Sequence, residues 1–156
     1  MIEEVKLARG VVYHDGKILL VQDTRPGQGP TQGHFFLPGG HVEPGEAIHS
    51  ALIREFKEEL GWQIHVGAFV GCIEHKWNVK TSDGAADAIV EMNYLFRVGT
   101  STSNLMGDLV SREPNLKFSW VARNRLSAIH LLPAPLKTLI PNILDAKPVA
   151  LWASTL

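Results

Sequence analysis

Acidic residues crowd one short stretch of this chain. Gly39-Gly40-His41-Val42-Glu43-Pro44-Gly45-Glu46 is followed by Arg54-Glu55-Phe56-Lys57-Glu58-Glu59-Leu60-Gly61. From Glu43 to Glu59 five acids face only Arg54 and Lys57, a local charge of -3. Ile48, Leu52, Phe56 and Leu60 recur every fourth position, with Ala51 beside Leu52, so the spacing predicts a helix from Glu46 to Leu60. Turning about 100° per residue puts Glu59 about 40° from Glu55, and both at the edge of the apolar stripe. Glu55 meets Glu58 and Glu59 at like-charge spacings, each costing about 0.2–0.5 kcal/mol, and partial burial adds to that cost. A divalent cation would turn this repulsion into coordination. Hard oxygen donors without cysteine favour Mg²⁺ or Mn²⁺ over Zn²⁺. Arg54 stands near Glu58 on the wheel, placed to orient it by a charge-assisted hydrogen bond. Spacing alone also suits an ordinary solvated, charged helix.

The surrounding pattern supplies elements to position these residues. Val5 to Tyr13 reads as a strand, His14-Asp15-Gly16 as a turn, and Lys17 to Gln22 as the returning strand of a hairpin. Arg25 to His34, rich in Gly and Pro, reads as a loop before a short strand, Phe35-Phe36-Leu37. Gly61 closes the helix as a residue suited to positive φ, and Pro44-Gly45 suit its start. Trp62 to His75 reads as one or two strands, Thr81 to Gly84 as a turn, Ile89 to Val98 as a strand and Gly99 to Asp108 as a loop. Phe118 to Val121 is a further short strand. Pro135 to Leu144 is a short helix that Pro141 is expected to kink or split. Strands, one strong helix, more strands and a closing helix describe an α/β (α+β) mixed β-sheet sandwiched between α-helices.

Composition limits the partners. The chain has 156 residues, 45% hydrophobic and 20% charged, which suits one domain over 1–156. Fifteen Lys and Arg against 16 Asp and Glu give a net charge of -1, with no general attraction to nucleic acid polymers or anionic membranes. No apolar run approaches the ~20 residues of a membrane span. The acidic start Met1-Ile2-Glu3-Glu4 lacks a signal-peptide layout, and Cys72 is the one cysteine, so a reducing, cytoplasmic setting is expected.

The acidic stretch resembles the Nudix box: Gly, five residues, Glu, seven residues, Arg-Glu, a bulky apolar residue, any residue, Glu-Glu, any residue, Gly, and a bulky apolar residue. Gly40, Glu46, Arg54-Glu55-Phe56, Glu58-Glu59 and Gly61-Trp62 fill it. Phe56 and Trp62 stand where aliphatic residues are more usual. The resemblance implies the Nudix fold and Mg²⁺- or Mn²⁺-dependent hydrolysis of a nucleoside diphosphate linked to another group. It implies that Glu55, Glu58 and Glu59 bind the metal and that Gly39 or Gly40 adds a carbonyl ligand. Arg54, counted with these glutamates in the catalytic set, and Glu46 brace loop and helix. A further acid is implied outside the box. Glu91, counted with the metal ligands, is the choice in a strand, and Glu113, counted with the substrate-binding residues, is the loop candidate. A non-catalytic nucleotide sensor on the same fold is the alternative, which the intact box disfavours.

Other residues are candidates for substrate binding. Arg25 can contact a phosphate, Phe36 can stack on a base if Phe35 turns to the core, and Trp77 can stack on a base or sugar. His75 is a weak candidate for a catalytic base. Trp120 and Cys72 read as core. ADP-ribose and other nucleotide sugars compete with nucleoside triphosphates as substrate, and no specificity signature separates them. The terminal run Val149-Ala150-Leu151-Trp152 is too apolar for a solvated end, so it is expected to dock on its own domain or across a homodimer.

Overall fold

The computed structural model describes residues 2–25, 33–80, 84, 86–103, 105–107 and 109–156, without the side chains of Lys80 and Ala86. The expected Thr81–Asp83 turn residues, most of the Gly/Pro loop, and Asn104 and Asp108 lie outside the described residues.

Two sheets carry the fold. The larger is mixed and orders β5 (Gly39–His41), β1 (Ile2–Val11), β7 (Ala86–Thr100), β6 (Ile64–Lys80) and β9 (Trp152–Ser154). β1 runs parallel to β7, and β6 antiparallel to it. In the smaller sheet, β3 (Lys17–Asp23) pairs antiparallel with β2 (Tyr13–His14), β4 (Phe35–Phe36) and β8 (Leu116–Ala122). The hairpin turns where expected, with Asp15 and Gly16 at φ 49° and 74°.

Helix α1 (Ile48–Leu60) buries Ala51, Leu52, Phe56 and Leu60, as the four-residue spacing predicts. They join Ala8, Val12, Leu19, Trp62, Phe96 and Phe118 in one core. Gly61 ends the helix at φ 69°, its N–H on the Lys57 carbonyl at 3.0 Å and the Trp62 N–H on that of Phe56 at 3.3 Å. The helix starts two residues later than the sequence suggests. Glu46 stays outside it because its carboxylate accepts the Glu43 N–H at 2.9 Å and holds the entry turn.

Helix α2 (Leu136–Leu144) packs Leu136, Ile140 and Ile143 into a second core with Leu20, Leu37, Ile73 and Leu95. Pro141 lies inside the helix without splitting it, so of the two expected effects a split is absent. The burial of three apolar side chains outweighs the one backbone bond the proline removes. A mixed sheet with helices against it is the architecture expected. No helix among the described residues is long and apolar enough to cross a membrane.

Two elements depart further from the sequence reading. The segment after Trp62 is a single 17-residue strand, β6, with register shifts between Val66 and Gly71. The C-terminal run docks on its own domain as β9, parallel to β6 at Cys72–Glu74. Docking was expected to bury Leu151 and Trp152, yet they remain 58% and 52% exposed. Backbone pairing holds the tail instead: Cys72 donates to the Leu151 carbonyl at 2.8 Å, and Thr155 to that of Glu74 at 3.0 Å.

Candidate active site

Gly39 and Gly40 bring strand β5 between β1 and the acidic face of α1. Gly39 sits at φ 131°, and a Cβ there would lie 1.9 Å from the Ala8 carbonyl oxygen. A Cβ on Gly40 would lie 2.5 Å from the carboxyl carbon of Glu55. The two glycines therefore let a strand backbone lie directly against a glutamate head group.

Arg54 ties this loop to the helix. Its Nε and Nη2 donate to the two carboxylate oxygens of Glu46 at 2.9 and 3.0 Å, and Nη2 also donates to the His41 carbonyl at 3.0 Å. Its Nη1 donates to Glu55 at 3.0 Å and to Glu58 at 3.3 Å. The Arg54 guanidinium and the Glu43 N–H hold the Glu46 carboxyl down to about 2. The expected contact with Glu58 is present but weak, since that side chain is 53% exposed. Glu55 is only 14% exposed.

Glu59 is the most perturbed acid of the site. Burial, then the neighbouring Glu55 charge, pushes its carboxyl up to about 8, against the opposing pull of Arg9. The helical-wheel placement of Glu55 and Glu59 at the apolar edge is what produces this. Among the described residues, no three His, Cys, Asp or Glu side chains are already gathered as a cage for a metal ion.

Arg9 escaped the sequence reading. It stands on β1, where its Nη1 donates to the carbonyls of Leu37 and Gly39 at 3.2 and 3.1 Å. Its guanidinium lies 5.3 Å from the centroid of the Phe36 ring. Burial lowers its pKa, and Glu91, Glu59 and Glu55 act to restore it. Asn93, buried on β7, was missed as well. It accepts from Arg9 Nε at 3.5 Å and donates to Glu91 at 3.4 Å. The available signal was a lone arginine inside the apolar run Leu7-Ala8-Arg9-Gly10-Val11-Val12.

A narrow cleft adjoins these groups, lined in part by Arg9, Phe36, Trp77, Glu91 and Asn93. Three residues singled out from sequence, Phe36, Trp77 and Glu91, thus meet in one place. Phe35 packs against the second core and Phe36 against the first, so the alternation of faces gives each ring a core, and Phe36 turns only part of its surface to the cleft. His75 pairs in register with Glu91, and its ring meets the Trp77 ring edge-on, centroids 4.3 Å apart.

Glu113 and Arg25 sit elsewhere. Glu113 is on an exposed turn closed by the Ser111 hydroxyl. That turn is tethered to α1 by the Arg112 N–H, which donates to the Glu59 carbonyl at 2.7 Å, and the Glu113 charge is felt at Glu59. Arg25 does not line the cleft. Its Nε donates to both oxygens of the buried Asp23 carboxylate at 3.0 Å, which neutralises that acid.

Comparison with known proteins accords with this geometry. The NUDIX domain family model matches residues 5–143. CTP pyrophosphohydrolase of Escherichia coli strain K12 is 35% identical over 94 residues, which span 54% of this chain and 68% of that protein. Nucleoside triphosphatase NudI of Enterobacter sp. strain 638 is 29% identical over 122 residues, 78% of this chain and 84% of that one. The solution structure of the E. coli ORF135 protein superposes with a TM-score of 0.60 and 26% identity over 96% of both chains. The crystal structure of MutT protein from Methanosarcina mazei Go1 shares the fold, with a TM-score of 0.67 at 19% identity over 92% of this chain and 95% of that one. With an acidic helix braced against a Gly-Gly loop and these matches, the chain belongs to the NUDIX family and is a hydrolase of diphosphate bonds.

Proposed function

We propose that this chain hydrolyses a phosphoanhydride bond of a nucleoside triphosphate, using Mg²⁺ or Mn²⁺ held by Glu55, Glu58 and Glu59 with a carbonyl of Gly39 or Gly40. The observation that carries the proposal is the partly buried Glu55–Glu59 pair, in which burial and the Glu55 charge both oppose ionisation of Glu59 unless a cation is present. Dependence on a divalent metal is general in the family. The donor set here is all oxygen, which suits Mg²⁺ or Mn²⁺. The names of CTP pyrophosphohydrolase and nucleoside triphosphatase favour a nucleoside triphosphate, and an ADP-ribose pyrophosphatase of Methanocaldococcus jannaschii, 42% identical over 62 residues, keeps ADP-ribose as the second reading.

The protein's part in the reaction follows from its own side chains. Arg54 fixes Glu55 and, more loosely, Glu58 in place. Arg9 supplies a buried positive charge at the cleft, offsetting the carboxylates around it. Phe36 and Trp77 flank a cleft of only about 10 Å³, room for one water, so their aromatic surface meets a nucleoside once the cleft opens. Glu91, placed by Asn93, takes the proton of the attacking water as general base. The cation, when bound, neutralises phosphate oxygens and acidifies the attacking water.

The test is turnover of the purified chain over a panel of nucleoside triphosphates and ADP-ribose, with each metal and with chelator. Pyrophosphate or phosphate release from a triphosphate, lost in chelator and in Glu59→Gln, is expected. Turnover of ADP-ribose alone would overturn the substrate assignment. Full activity in chelator would overturn the metal site.

A further inference from the structure

The wall of the cleft contains an indole that does not anchor itself. Trp77 Nε1 is buried and has no hydrogen-bond partner among the described residues. An unpaired buried N–H contributes nothing to holding a ring in one orientation, and it costs stability. The Trp77 ring packs edge-on against His75. His75 Nε2 is likewise buried without a partner among the described residues. The ring contact of His75 that fixes its rotation is therefore at Nδ1, 2.7 Å from the Thr155 hydroxyl.

Thr155 follows strand β9, at the far end of the chain from the acidic helix. Its position is set by main-chain pairing: its N–H donates to the Glu74 carbonyl at 3.0 Å, one residue before His75. Next to it, the Ser154 hydroxyl donates to the Glu74 carboxylate at 2.9 Å. A line of dependence thus runs from β9 to Thr155, to His75, to Trp77 and so to the cleft.

We propose that the C-terminal strand is a clasp on the substrate cleft, in which Thr155 holds the His75 ring and thereby sets the Trp77 indole that meets the nucleoside. Thr155 is a positioning residue: it touches neither the carboxylate helix nor the cleft itself. This inference rests on the reading of Phe36 and Trp77 as the nucleoside-facing surface. It accounts for a tail whose large side chains stay in solvent while its backbone pairs with β6 and its Ser154 and Thr155 hydroxyls are engaged. The remote end of the chain thus governs affinity and leaves the chemical step to the acidic helix.

The test compares Thr155→Val, which keeps the branched shape without the hydroxyl, with Thr155→Ser, which keeps the hydroxyl. Each is assayed on whichever diphosphate substrate the wild-type protein turns over, so a wrong substrate assignment shows in the wild-type measurement and not in the ratio of variants. Thr155→Val is expected to raise KM about fivefold, the worth of one hydrogen bond, with kcat held within about twofold. Thr155→Ser is expected to restore the wild-type KM. ¹⁵N-histidine spectra, which need no substrate, are expected to show one His75 tautomer in wild type and exchange in Thr155→Val. An unchanged KM in Thr155→Val would overturn the clasp. So would a Thr155→Ser variant no better than Thr155→Val, or a His75 signal unaffected by either.

Discussion

Arg54 and Glu46 are joined by a double hydrogen bond, Nε to Oε1 at 2.9 Å and Nη2 to Oε2 at 3.0 Å, that spans the turn between strand β5 and helix α1. The planar guanidinium reaches Glu46, Glu55, Glu58 and the His41 carbonyl at once. A lysine carries the charge but cannot offer this fork. Arg54→Lys is therefore expected to lower kcat at least tenfold. The loss of stability should be modest, about 1–2 kcal/mol, because the helix itself is held by its buried face. Steady-state kinetics and urea unfolding check both; equal losses in Arg54→Lys and in a surface control such as Lys57→Ala would refute the bracing role.

Glu59 makes a prediction about pH. Its folded pKa, about 8, lies above the ordinary carboxyl value of 4.5. The folded state therefore binds more protons than the unfolded state between these values, and stability falls as pH rises through that window. His75, whose pKa burial lowers, acts in the opposite direction below its ordinary value of 6.5. The clean range is thus pH 6.5 to 8. In chelator, Tm is expected to fall across it, and Glu59→Gln to flatten the fall. Saturating Mg²⁺ should flatten it too. A Tm in chelator that is level in wild type, or that falls equally in Glu59→Gln, contradicts the assignment.

The paired glycines separate backbone strain from crowding. Gly39→Ala forces a side chain into positive φ against the Ala8 carbonyl. It is expected to cost about 1–3 kcal/mol of stability, and the fold may be judged by the shift in urea midpoint. Gly40→Ala meets no such backbone barrier but presses on the Glu55 carboxyl. It should keep most of the stability and lose most of kcat. A Gly40→Ala variant with wild-type kcat would show that Glu55 has room to move without consequence.

Local signals were legible in the sequence, and pairings distant along the chain were not. The four-residue spacing through Ile48, Leu52, Phe56 and Leu60 and the Gly61 cap act within a few turns of one helix, so the chain states them directly. The same arithmetic placed Glu55 and Glu59 at the edge of the core. Arg9 and Asn93, 84 positions apart, become partners only because β1 lies parallel to β7. No local pattern encodes that register. Strand β9 was legible as a tail that must dock, since its apolar run is local. Its edge and its hydroxyl contacts depend on β6 and were not. Arg25 shows the converse failure: a basic residue in a Gly/Pro loop suggested a phosphate ligand, whereas the buried Asp23 two residues earlier engages it.

Two acids outside the helix remain to be separated by function. Glu91 borders the cleft, receives the Asn93 amide and feels Arg9 and His75. Glu113 lies on an exposed turn and acts on Glu59 through its charge, with the Arg112 N–H fixing the turn to the Glu59 carbonyl. A general base inside the cleft must be held in a productive orientation, which Asn93 provides for Glu91 and no side chain among the described residues provides for Glu113. Glu91→Gln is therefore expected to lower kcat by about 10²–10⁴-fold with Tm slightly lowered, because Arg9 loses its main countercharge. Asn93→Leu, which removes the amide but keeps the bulk, should lower kcat by a smaller factor, because Glu91 remains but is no longer oriented. Glu113→Gln should change kcat less than threefold and make Glu59 only slightly easier to deprotonate, read as a small shift in the pH dependence of Tm. If Glu113→Gln abolishes turnover while Glu91→Gln leaves it intact, the roles are reversed, and the mobile partner of the chemistry is the turn tethered to the end of α1.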